Sequence, residues 1–88
     1  MTPHIQSLMS ELRTGLTAVY EARLKGVYLY GSYARGHAGG ESDLDVLVIL
    51  DQIQHYGLEV DRTSSLISSL SLRYGVTISR VFVPEHDW

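Results

Sequence analysis

The stretch Val27-Tyr28-Leu29-Tyr30-Gly31-Ser32, followed after ten intervening residues by Asp43-Leu44-Asp45-Val46-Leu47-Val48-Ile49-Leu50, decides how this chain reads. Val27 to Tyr30 is a short apolar run rich in β-formers, which predicts a buried strand. Gly31-Ser32 stops it. Tyr33-Ala34-Arg35-Gly36 has room for one helical turn, and His37 to Ser42, with Gly39-Gly40, reads as a loop. Asp43 to Leu50 predicts a second strand. Its uniformly apolar end suits a central strand covered on both faces. A period of two puts Asp43, Asp45, Leu47 and Ile49 on one face.

Helical patterns flank these strands. From about Pro3 to Leu24, Ile5, Leu8, Met9, Leu12, Leu16, Val19 and Tyr20 recur at spacings of three and four, as in an amphipathic helix. Thr2 can cap it, Pro3 suits its first position, and Lys25-Gly26 end it. A second helix is predicted over about Ile53 to Tyr74, with Leu58, Val60, Leu66, Ile67, Leu70 and Leu72 as its core positions. Its serines at 64, 65, 68, 69 and 71 suit a wet face or back-bonding to the helix, and Gly75 closes it. Val76 to Val83 is a third strand ended by Pro84. The order predicts an α/β chain of the α+β kind: a small sheet of about three strands packed with two main helices. The second helix serves as a crossover, which makes the last two strands parallel. The direction of the first pair stays open. One helical layer leaves a sheet face for a homodimer, another partner or a C-terminal continuation to cover.

The 88 residues suit a single domain, 1–88, with no repeat or linker. Hydrophobic residues at 44% and charged residues at 19% argue against disorder. With no cysteine, a reducing, cytoplasmic setting is expected. No apolar run approaches the roughly 20 residues of a membrane span. No basic start precedes an apolar stretch, so no signal peptide is expected. The net charge of −3 excludes a general affinity for nucleic acid backbones.

The chemistry concentrates between Gly31 and Asp45. A Gly-Ser at a strand end lets the backbone turn sharply and approach a ligand. N–H groups opening a helical turn have no internal partner and suit a phosphate, to which the Ser32 hydroxyl adds a donor. Asp43 and Asp45 share a face and repel unless a cation sits between them. Mg²⁺ takes one or two carboxylates plus phosphate oxygens. A phosphate cradle beside such a site is the apparatus of nucleotidyl or phosphoryl transfer. Gly, Ser, Asp and Asp at one fixed spacing arise by chance in about one chain of this length in a thousand.

The strings Tyr30-Gly31-Ser32-Tyr33-Ala34-Arg35-Gly36 and Ser42-Asp43-Leu44-Asp45-Val46-Leu47-Val48 resemble the signature of the DNA polymerase beta-like nucleotidyltransferases, in particular the minimal nucleotidyltransferases. The resemblance implies a palm-like mixed sheet and a nucleotidyltransferase that binds ATP and Mg²⁺. Gly31, Ser32 and, more weakly, Arg35 would meet the phosphates, and Asp43 and Asp45 would be the catalytic metal ligands. It also implies the antitoxin of a toxin–antitoxin pair, transferring AMP to a tyrosine of a HEPN-domain partner. One feature departs from the family. A third carboxylate is expected on the strand after the second helix, and Val76 to Val83 holds no Asp or Glu. Thr77, Ser79 or Arg80 stands there instead. Nucleotide binding is therefore better supported than catalysis, and Glu85 or Asp87 would compensate only if the chain folds back. The alternative reading is an impaired nucleotide-binding or partner-docking module that neutralises a toxin by direct binding; an accessory domain that relies on a separate catalytic chain is a third.

Other residues read as structural or solvated. Arg35 either meets a phosphate, holds Asp43, or is a solvated turn residue. Tyr33 suits packing better than base stacking. His4, His37, His55 and His86 show no metal spacing and read as surface residues. Arg13, Arg23, Arg62 and Arg73 read as solvated faces. Trp88 either covers an apolar face or anchors a partner.

Overall fold

Helix α1 (Pro3–Tyr20) opens on its proline, as expected. Its apolar stripe puts Ile5, Leu8, Met9, Leu12, Leu16 and Tyr20 in the core. Each fully buried leucine contributes about 1.5–3 kcal/mol. The computed structural model that shows this describes residues 3–30 and 44–88. The Thr2 cap and the turn and loop expected over 31–42 lie outside the described residues.

The helix ends earlier than the periodicity predicts. Glu21 takes a left-handed φ of 52°, which breaks the helical hydrogen-bond ladder. A single 3-10 turn, Glu21–Arg23, follows. Strand β1 then runs from Leu24 to Tyr30, so Lys25 and Gly26 belong to a strand and do not end the helix. The pairing register shifts between Leu24 and Gly26. A Cβ at Gly26 would stand 2.7 Å from the Tyr28 ring. Val19 is 41% exposed, a second departure from the α1 stripe.

Strand β2 (Leu44–Leu50) is central, between β1 and β3 (Ile78–Pro84). It pairs antiparallel with β1 and parallel with β3, which fixes the direction that pattern alone leaves open. The parallel step needs a crossover, and α2 (Tyr56–Tyr74) supplies it. The result is a small α+β fold with a mixed three-stranded sheet and one helical layer. Leu44, Val46, Val48 and Leu50 share one face of β2 and are almost wholly buried. They join α1, Ile67 and Leu70 of α2, and Ile78 and Phe82 of β3 in one core.

Helix α2 begins at Tyr56, later than Ile53, and its predicted stripe holds in part: Ile67 and Leu70 are buried, and Val60 and Leu66 pack against the core. Leu58 and Leu72 are 49% and 84% exposed. Glu59 and Thr63 are buried, in line with Ile67 and Leu70. The spacing of four, four and three residues defines the inward face, and polar residues occupy it because each is paired. The Tyr20 hydroxyl donates to Glu59 Oε1 over 3.0 Å, and Arg23 Nη2 donates to Glu59 Oε2 over 3.0 Å. Thr63 donates to the Glu59 carbonyl and accepts from Arg80 Nε at 2.7 Å. As expected, serines 64, 65, 68 and 69 face outward, and Ser64 back-bonds to the Val60 carbonyl. Gly75 closes the helix at φ 67°, donating its N–H to the Ser71 carbonyl.

The sheet face away from the helices carries Tyr28, Tyr30, Asp45, Leu47, Ser79 and Val81. It is partly covered. A 3-10 turn over Glu85–Asp87 brings Trp88 onto Tyr28, with ring centroids 5.5 Å apart and planes 16° from parallel. Trp88 thus meets an aromatic of its own chain and stays 66% exposed. No helix among the described residues is long and apolar enough to cross a membrane.

Candidate functional site

Three strand ends meet at one edge of the sheet. Tyr30 closes β1, Asp45 stands second in β2 and Ser79 second in β3. The ladders pair Tyr30 with Asp45 and Asp45 with Ser79. The Leu44 N–H donates to the Thr77 carbonyl over 2.8 Å, which pins the entry of β2 to the approach of β3. Alternation sends Asp45 to the face opposite the helix-covered Leu44 and Val46. Asp45 is partly exposed, and among the described residues no ion pair or hydrogen bond occupies its carboxylate. An unpaired carboxylate at a strand end, beside a hydroxyl and open to solvent on one side, fits a divalent metal ligand.

Of the residues singled out from sequence, Asp45 lies here. Gly31 follows Tyr30 directly in the chain and Asp43 lies two residues before Asp45. Gly31, Ser32, Tyr33, Arg35, His37 and Asp43 themselves fall outside the described residues.

The position left open between Thr77, Ser79 and Arg80 is resolved. Ser79 is the β3 neighbour of Asp45 on the shared face. Arg80 turns to the helical side, where Nε donates to Thr63 Oγ1 and Nη2 to the Val60 carbonyl at 2.8 Å. Thr77 precedes the strand. Glu85 and Asp87 follow Pro84, which pairs with Leu50 at the far end of β2 from Asp45. Beyond it the chain folds back, since the 3-10 turn over Glu85–Asp87 brings Trp88 onto Tyr28, the residue paired with Leu47.

Arg13, Arg62 and Arg73 are exposed, as expected, and Arg23 corrects the expectation. Arg23 is no solvated residue. It bridges Asp51 Oδ1 at 3.1 Å and Glu59 Oε2 at 3.0 Å, tying the start of β1 to the end of β2 and the first turn of α2. Burial pushes the Asp51 carboxyl up, but the Gln52 N–H and the Arg23 guanidinium outweigh it and hold the group below its ordinary value. Burial and then Glu59 hold the Tyr20 hydroxyl well above the ordinary phenol range. Arg13 donates to the Val27 carbonyl at 3.0 Å. Arg73 pairs with Glu11, which also accepts from the Tyr74 hydroxyl. Tyr74 first and Arg73 second hold the Glu11 carboxyl below its usual range. Single-residue periodicity gives no sign of these pairings, because each joins segments far apart in sequence. His4, His55 and His86 are exposed, as predicted.

A family model described as a nucleotidyltransferase domain matches residues 9–78 of the chain. Three curated relatives from Methanocaldococcus jannaschii each carry the name "Putative protein adenylyltransferase". The first is 34% identical over 80 residues, which is 91% of this chain and 74% of the relative. The second is 31% identical over 77 residues, 88% of this chain and 77% of the relative. The third is 34% identical over 65 residues, 73% of this chain and 44% of the relative. No solved structure matches the chain.

Proposed function

The chain belongs to the nucleotidyltransferase domain family, and from that premise we propose that its 88 residues form one domain that binds ATP with Mg²⁺ and serves as the antitoxin of a HEPN-domain toxin, transferring AMP to a partner tyrosine. The observation that carries the reading is the Asp45 carboxylate, unpaired among the described residues, at the strand end where Tyr30 leads into Gly31-Ser32. Asp43 and Asp45 would hold the metal, which when bound neutralises phosphate charge and stabilises the entering and leaving oxygens. Gly31 and Ser32 would cradle the phosphates, with Arg35 beside them. The acceptor hydroxyl attacks the α-phosphorus, a new phosphorus–oxygen bond forms, the α–β bridging bond breaks, and pyrophosphate leaves. The names of the three relatives support adenylyl transfer to protein.

Ser79 favours a second reading. A hydroxyl next to Asp45 neither takes the acceptor proton as a carboxylate does nor completes a metal site. On that reading the domain binds nucleotide and neutralises its partner by docking. Incubation with labelled ATP, Mg²⁺ and a HEPN partner, followed by mass spectrometry of the partner, separates the two. AMP on a tyrosine supports the enzyme. Neutralisation without a mass change supports docking, and absence of ATP binding sinks both.

A further inference from the structure

Each outer strand of the sheet carries one side-chain bond on its outer side. On β3, the Phe82 N–H donates to the Tyr56 hydroxyl of α2 at 3.1 Å. On β1 the outer edge faces a groove. Two cavities, of about 510 and 220 Å³, lie along it and share Arg13 as a lining residue. Gln6, Ser10 and Thr14 of α1 line the larger, and Thr17 and Lys25 the smaller. Arg13 crosses between them and donates to the Val27 carbonyl. That bond shows the Val27 peptide groups pointing outward from the sheet. The alternation of an antiparallel ladder then turns those of Leu29 outward as well. No described strand pairs with this edge. An open strand edge is a template for main-chain pairing with a further strand.

The charge of the groove selects the partner. Arg13 and Lys25 are the charged side chains lining the two cavities, both cations, in a chain whose net charge is −3. We propose that the β1 edge and the polar side of α1 form a docking groove for an extended acidic peptide segment, which adds as a strand on Val27 and Leu29. A peptide N–H takes the Val27 carbonyl, and the Arg13 guanidinium it displaces swings to a peptide carboxylate. This exchange leaves neither polar group unpaired. Alternate side chains of an added strand point to opposite sides, so every second residue would be acidic. The proposal does not rest on the nucleotide reading.

The test uses a fluorescent peptide of alternating valine and glutamate, matched to the seven residues of β1. Anisotropy should show saturable binding, and the amide exchange of Val27 and Leu29 should slow in the complex. The lysine counterpart should bind at least about tenfold more weakly, as should the glutamate peptide with the Arg13→Gln protein. A counterpart with N-methylated valines should not bind, because its donors are gone. Asp45→Asn should bind the glutamate peptide like the wild type, which keeps this result distinct from the nucleotide reading. No binding at about 1 mM peptide, a range weaker than typical recognition, would overturn the proposal. So would equal binding of the lysine peptide, or binding that leaves the Val27 and Leu29 amides unchanged. Protection of those amides in the peptide-free protein, with a doubled mass in sedimentation, would assign the edge to a second copy and equally overturn it.

Discussion

Arg80 aims its guanidinium at Thr63 and the Val60 carbonyl, which leaves the strand face beside Asp45 to Ser79. Two adjacent residues in a strand thus test one idea from opposite sides. Ser79→Asp should raise AMP transfer by about 10² or more, the usual contribution of a placed general base. Arg80→Asp should give no gain. It also strips Thr63 and Val60 of a donor and should destabilise the fold by about 1–3 kcal/mol. Transfer of labelled AMP, with thermal melts of both variants, checks the pair. A gain from Arg80→Asp in place of Ser79→Asp would show the register to be wrong. At Asp45 itself, Asn keeps the shape and removes the charge. Calorimetry should then find ATP affinity equal with and without Mg²⁺, whereas the wild type should bind more tightly with the metal.

The end of α2 is set by one backbone angle. Gly75 holds φ 67°, and its N–H satisfies the Ser71 carbonyl. A Cβ there meets nothing within 4 Å, so the cost of Gly75→Ala is conformational and not steric crowding. Urea denaturation should show a loss of about 1 kcal/mol with an unchanged slope. The start of α2 is set by charge. Glu59 is 4% exposed and depends on Arg23 and Tyr20. Glu59→Ala leaves the Arg23 guanidinium with Asp51 and the Gln52 carbonyl and should cost about 2–4 kcal/mol, at the lower side of the buried-pair range because Arg23 is partly exposed. A melting temperature within a degree or so of the wild type would show the network to be inert.

Acid should loosen the whole molecule through two carboxyls that join distant segments. Glu11 links α1 to the end of α2, and Asp51 links the end of β2 to the start of β1. Both are held below their ordinary values of 4.5 and 3.8. A carboxyl that ionises more readily when folded stabilises the fold above its unfolded value and loses that contribution as pH falls through the lowered folded value. Melting temperature should therefore be flat near neutrality and fall below about pH 4.5, where these groups begin to protonate. Glu11→Gln should flatten part of that fall. An unchanged acid profile in this variant would remove Glu11 from the account.

The element types, their order, the central place of β2 and the stripe of α1 were legible because they rest on local spacing and on apolar runs. Asp43, Asp45, Gly31 and Ser32 stand out in the sequence as a set because their chemistry is carried by residue type at a fixed interval; of the four, Asp45 lies among the described residues. Tertiary structure decided what spacing leaves degenerate. It set β1 antiparallel to β2, since the periodicity of a strand is the same in either direction. It chose Ser79 over Arg80 as the neighbour of Asp45, since only pairing fixes which face a residue takes. It put Glu59 and Thr63 inside and Leu58 and Leu72 outside, against the hydrophobic pattern, because Arg23, Tyr20 and Arg80 arrive from other elements to satisfy the buried polar atoms. Burial follows the partners a side chain meets, and those partners lie far along the chain.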